Sequence, residues 1–166
     1  TALPIGHGQS MFKPVLEGRM LQAAAIRAND DVLEIGTGTG FITACLAHMA
    51  RAVTSIDIHA DFLENAQARL HGLDLNNVRF ELADALSYRP QQQFDVVLVT
   101  AAVAVIPEAF KQWLRPGGRL FVIQGLSPVQ EALCLTRFGE TFRIESLLET
   151  DVPYLMGAEP ENKFTF

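Results

Sequence analysis

The sequence predicts a doubly wound α/β fold with a mostly parallel sheet, finished by a C-terminal antiparallel hairpin. Three observations carry this. Short β-rich runs alternate with helical patterns along most of the chain, the order that builds parallel βαβ units. A glycine cluster, Gly36-Thr37-Gly38-Thr39-Gly40, falls where a strand gives way to a helix, the place where such sheets open a ligand crevice. The last two apolar runs are joined by a turn around Gly139-Glu140-Thr141, too short for a helical crossover, so they must pair antiparallel.

The first ten residues, with Pro4, Gly6 and Gly8, read as loop. Helical spacing runs over 14–27, where Val15, Met20, Leu21, Ala24 and Ile26 share one face and Pro14 suits the first turn. Residues 31–35 form a first strand and 41–50 the helix that follows the glycines. A strand over 52–58 leads to a helix over 61–70, whose Asp61 and Glu64 favour its N-terminal dipole. Residues 77–83 and 94–100 are further strands. The second is almost wholly apolar, as expected of a strand buried on both faces. A short helix over 107–114 is stopped by Pro116-Gly117-Gly118, and a strand over 119–124 follows. The hairpin strands are 129–138 and 142–148.

Composition narrows the function classes. The 166 residues fit one domain with a proper core, and 49% apolar against 19% charged residues exclude a disordered or fibrous chain. A net charge of −6 argues against a surface that holds nucleic acid by phosphate attraction. The longest apolar stretch, 96–107, is too short for a bilayer, which needs roughly 18–20 residues. Cys45 and Cys134 are isolated and suit a reducing compartment, so a cytoplasmic protein without membrane partners is expected. His7, His48, His59 and His71 lack ligand spacing, and no metal site is expected. Trp113 reads as a core or edge anchor and 159–162 as a solvated loop.

The chemistry concentrates around the glycine loop. Asp57 ends the next strand, 21 positions after Gly36, where an acid accepts from both hydroxyls of a ribose. Asp84 follows the third strand and could bond an exocyclic adenine amine. The loop is G-x-G-x-G, not the G-x-G-x-x-G of dinucleotide sites, and Glu34 stands two positions before it. A carboxylate there is a poor neighbour for pyrophosphate but suits a cationic amino group or a sulfonium. S-adenosylmethionine carries both, with adenine and ribose, and is the favoured cofactor over NAD.

The segment Leu3-Pro4-Ile5-Gly6-His7-Gly8-Gln9-Ser10-Met11-Phe12-Lys13-Pro14 resembles the L-P-I-G-x-G-Q-T-I-S-x-P text of the protein-L-isoaspartate O-methyltransferase family. The glycine loop with Glu34, the strand from Asp95 to Ala101, Ile106-Pro107-Glu108, Pro116-Gly117-Gly118-Arg119-Leu120 and Val152-Pro153 also follow that family, over nearly the whole chain. The resemblance implies a Rossmann-like class I methyltransferase that methylates the carboxylate of isoaspartyl residues in damaged proteins. It implies cofactor contacts at Glu34, Gly36, Thr37, Gly38, Gly40, Asp57, Ile58, Asp84, Ala85 and Thr100. Substrate contacts fall at His7, Gly8, Gln9, Ser10 and Phe12, with Ser10 as the catalytic hydroxyl. The family's T-I-S carries two hydroxyls, whereas Ser10-Met11-Phe12 carries one. Phe12 then either shapes an apolar wall over the methyl donor or packs under the first helix. Two other functions stay open on that departure: transfer to another small carboxylate or hydroxyl, and cofactor binding without turnover. The family also carries a helical segment ahead of its L-P-I, and the chain, starting at Thr1, is expected to lack it.

Overall fold

The computed structural model describes residues 2–162. Strands β1 (Pro4–Gly6) and β2 (Gln9–Ser10) precede helix α1 (Pro14–Ala24). The alternating core follows as β3 (Asp31–Ile35), α2 (Phe41–Met49), β4 (Ala52–Asp57), α3 (Ala60–Gly72), β5 (Val78–Leu82), β6 (Phe94–Val103), α4 (Glu108–Gln112) and β7 (Leu114–Leu126). Strands β8 (Val129–Phe138) and β9 (Thr141–Thr150) close the chain's sheet.

The seven strands lie in the order β5-β4-β3-β6-β7-β8-β9. All neighbours from β5 to β7 are parallel, and β8 and β9 are antiparallel, as the short turn between them requires. The chain winds outward from β3 to β5, then returns to place β6 on the other side of β3. That reversal leaves a crevice beyond the carboxyl ends of β3 and β6. Alternate residues of the central strands feed two cores. Leu33, Val97, Val99, Leu120 and Val122 pack with Phe110 and Trp113 on the α4 side. Val32, Val96, Leu98, Phe121 and Ile123 pack with Leu16, Met20 and Ala24 of α1 and with Leu46 of α2. This two-sided burial explains why β3 is buried at every position and why β6 lacks a polar face.

Trp113 is a core anchor, stacked at a tilt on Phe110 and met edge-on by Tyr88. The end of the sheet opposite the crevice is tied by ions. Asp31 is buried against Arg51 and Arg115, Arg115 also reaches Asp95, and Arg119 reaches Asp30.

Three elements differ from the expectation. Helix α1 stops three residues early, because Ala25 turns left-handed (φ 45°) and its N–H caps Leu21 O. Strand β7 starts before the Pro-Gly-Gly signal. Leu114 pairs with Phe94, and the ladder resumes at Arg119 after an irregularity that takes up Pro116-Gly117-Gly118. The opening ten residues are not all loop. Pro4 pairs with Ser10 and Gly6 with Gln9, a hairpin too short to show period-two alternation. Among the described residues no helix is long and apolar enough to cross a membrane.

Candidate active site

The crevice at the β3/β6 reversal is a cleft of about 890 Å³, counting the space at its open mouth. Its floor is the glycine loop, which leaves β3 through Gly36, Thr37 and Gly38. Gly36 has φ +97° and lies against Thr100, so any side chain there would collide with the Thr100 hydroxyl. Thr100 sits where the β6–β7 register shifts between Leu98 and Ala102, and the break turns its Oγ1 toward the loop. That hydroxyl donates to the carbonyls of Ile35 (3.0 Å) and Gly36 (2.7 Å), sharing one proton between them.

Asp57 ends β4 beside the loop. Its carboxylate accepts from Gly38 N–H at 3.2 Å and His59 N–H at 2.9 Å, which fixes both oxygens at the cleft wall. Ile58, Asp84, Ala85 and Thr100 also line the cleft. Asp84 accepts from Leu86 N–H at 2.9 Å, a local turn that steadies the side chain. From the opposite rim come Gln9, Ser10 and Phe12. Phe12 packs with Leu16 and Met20 under α1 and also lines the cleft.

Four expected contacts do not line the cleft. Gly40 caps α2 and faces Ala66 of α3, where an added Cβ would stand 2.8 Å from Ala66 Cβ. It is a packing glycine. His7 and Gly8 lie on the hairpin turn, outside the wall. Glu34 is the largest correction. It is fully buried beneath the loop, because residue 34 of an all-buried strand points into the sheet's packing, away from the crevice. Its Oε1 accepts from Thr43 and from Ser55 at 2.6 Å, and Ser55 in turn bonds Thr37 Oγ1 at 2.6 Å. Oε2 has no partner among the described residues.

Burial pushes the Glu34 carboxyl up to about 7, with the nearby Asp57 charge adding to the rise and the Ser55 and Thr43 hydrogen bonds opposing it. The folded protein therefore holds the Glu34 proton more tightly than the unfolded chain. Its contribution to stability is full below pH 4.5 and is lost as pH rises through 7. Glu34→Gln, permanently neutral, escapes that loss. The stability of the variant relative to the parent should rise by about 3 kcal/mol between pH 4.5 and pH 8. Urea unfolding at the two pH values measures this, and a difference that does not change with pH would contradict it.

Sequence patterns did not expose several wall residues. Leu155 and Met156 arrive because the tail adds a short parallel bridge to β6: Ala102 N–H donates to Pro153 O and Leu155 N–H to Ala102 O. Glu17 reaches the cleft from the first turn of α1, and burial raises its carboxyl above the ordinary range. Ile5, Phe41 and Phe62 complete an apolar rim. Among the described lining residues are three carboxylates, Glu17, Asp57 and Asp84, and neither lysine nor arginine.

The chain's likeness to known proteins agrees with this geometry. The model of the family described as protein-L-isoaspartate(D-aspartate) O-methyltransferase matches residues 1–154. A protein-L-isoaspartate O-methyltransferase of Methylorubrum extorquens is 43% identical over 145 residues, 87% of this chain and 63% of the relative. One from Dictyoglomus thermophilum is 38% identical over 147 residues, 88% of this chain and 67% of the relative. A solved protein-L-isoaspartate O-methyltransferase superposes with a TM-score of 0.80 at 26% identity, over 90% of this chain and 49% of that one. The chain thus spans about two thirds of the length of these curated relatives. On the family match and these identities, the chain belongs to the protein-L-isoaspartate(D-aspartate) O-methyltransferase family.

Proposed function

We propose that the chain transfers a methyl group from S-adenosylmethionine to the carboxylate of isoaspartyl residues in proteins or peptides. The observation that carries this is the charge of the cleft: three carboxylates and neither lysine nor arginine among its described lining residues. Such a wall repels a pyrophosphate and attracts a ligand with a sulfonium and an ammonium. The acceptors of the cleft suit the rest of that ligand. In this reading Asp57, which lines the cleft, accepts from the ribose hydroxyls and Asp84 from the adenine amine, with Ile56, Ile58, Ala83 and Ala85 as apolar surfaces for the base. Glu17 takes the ammonium role that buried Glu34 cannot fill. Gly36, Thr37, Gly38 and Thr100 form the floor beneath it.

When bound, S-adenosylmethionine supplies an electrophilic methyl on sulfur, which becomes a neutral thioether once a carboxylate oxygen has taken the methyl. An acceptor carboxyl with pKa near ~4 is already ionised at neutral pH, so no side chain need remove a proton. The chain's task is orientation, since holding the reacting oxygen in line is worth far more than activating it. Ser10, on β2 at the rim, is the side-chain hydroxyl proposed to hold that oxygen, and a single neutral donor holds it without blunting its reactivity. Gln9 is anchored by its amide, which donates to Tyr154 O at 3.4 Å. The backbone nitrogen that follows can attack the product ester to close a succinimide with loss of methanol, and water can reopen that ring to aspartate, the chemistry of repair. The two unpaired cysteines support a cytoplasmic setting.

Methyl transfer from labelled S-adenosylmethionine to an isoaspartyl peptide, recovered as a base-labile ester, tests this function. Within it, Ser10→Ala should lower kcat about tenfold or more while the dissociation constant for S-adenosylhomocysteine stays within about twofold. Equal loss in both would remove Ser10 from the acceptor role.

A further inference from the structure

We propose that His7 is a positioning residue that clasps the β1–β2 hairpin to the start of α3 and so holds Ser10 at the cleft rim; the inference rests on the acceptor role given to Ser10 above. The hairpin needs such a clasp. Among the described residues β1 and β2 pair with each other and with no strand of the main sheet. Yet this detached ribbon supplies Ile5, Gln9 and Ser10 to the cleft wall.

Its turn is built around His7. The ring lies 3.8 Å from that of His59 at an interplanar angle of 10°, a parallel stack, and meets Phe62 edge-on at 5.0 Å. His59 meets Phe62 edge-on as well, so three rings interlock. Nε2–H of His7 donates to the Asp61 carboxylate, 3.0 Å from each oxygen. That bond holds the Asp61 carboxyl below the ordinary carboxylate range. The backbone adds a further sign. His7 is held at φ 53° between Gly6 at 104° and Gly8 at 71°. A non-glycine residue persists in the left-handed region when its surroundings fix it, and such residues gather at ligand clamps.

The partner segment is itself part of the cofactor wall. His59 N–H donates to Asp57, and His59 and Phe62 line the cleft. One end of the clasp therefore sits beside the acid assigned to ribose, and the other sits three residues from the hydroxyl assigned to the acceptor. Another attachment, Ile5 packed over Gly38, joins the same two sides, since an added Gly38 Cβ would stand 3.2 Å from Ile5 Cδ1.

The test uses the full chain with three variants. His7→Asn keeps a residue that tolerates the left-handed turn and removes the ring stack. Asp61→Asn keeps an acceptor for Nε2–H, and Asp61→Ala removes it. His7→Asn should raise amide hydrogen exchange over residues 3–12 about tenfold and lower kcat/KM for an isoaspartyl peptide about tenfold. Its S-adenosylhomocysteine dissociation constant should stay within about threefold of the parent. Asp61→Asn should behave close to the parent, and Asp61→Ala should shift toward His7→Asn. Unchanged exchange over 3–12 in His7→Asn would overturn the clasp, whatever the activity. The predicted exchange pattern in a protein that binds S-adenosylhomocysteine but methylates no isoaspartyl peptide would uphold the clasp and overturn the acceptor reading instead.

Discussion

Replacing Asp57 with alanine should weaken S-adenosylhomocysteine binding about 100-fold in calorimetry, the largest effect expected from removing one side chain of the cleft. Two causes add. A ribose would lose a charged acceptor, and the Gly38 and His59 N–H groups would lose the carboxylate that now fixes them at 3.2 and 2.9 Å. Asp57→Asn separates the two. It keeps an oxygen for one backbone donor but no charge, so it should fall between alanine and the parent. Unchanged affinity in Asp57→Ala would remove the residue from the ribose role.

The second large effect is structural. Gly36→Ala should destabilise the fold by about 3 kcal/mol and abolish cofactor binding at accessible concentrations. Its φ of +97° opposes an L side chain, and the new Cβ would occupy the place of the Thr100 hydroxyl. That hydroxyl ties the end of β3 to the break in β6, so displacing it disturbs both strands at the crevice. Denaturant unfolding reads the loss. The double variant Gly36→Ala/Thr100→Ala should recover part of it by removing the collision while keeping the backbone cost. Strictly additive effects would show that the two residues do not meet as described.

How much of this was legible in the sequence depended on the range of the signal. The parallel core was readable because each strand and helix carries its own period, and the two-residue turn between the paired Phe138 and Thr141 left no alternative to a hairpin. Asp57 and Asp84 were readable because strand ends are fixed by the strands themselves. Glu34 was misplaced for the converse reason. Its spacing from the glycines locates it in β3 but does not say which face of a doubly buried strand its side chain takes, and hydroxyls from Thr43 and Ser55 had made a pocket for it inside. Glu17, Leu155 and Met156 reach the cleft through tertiary packing alone, with no local pattern to mark them. The hairpin of β1 and β2 was hidden by its length, and the function of His7 by the separation of 54 positions between it and Asp61.

Family membership supports the proposed class of chemistry, and the cleft adds what is particular to this chain. One hydroxyl, Ser10, stands where the family pattern carries two. Phe12 occupies the other place, packed into the α1 core and closing the wall with an apolar surface. The acidic wall, with Glu17 added, favours a cationic donor strongly, so the acceptor carboxylate must be drawn by local donors on the hairpin.

The measurement that bears most directly on this account pairs two peptides that differ at one residue, isoaspartyl in one and aspartyl in its twin. Each is incubated with the chain and methyl-labelled S-adenosylmethionine, and label released by mild base is counted. The account predicts base-labile label on the isoaspartyl peptide alone. Equal labelling of both peptides, or of neither while S-adenosylhomocysteine still binds, would contradict it.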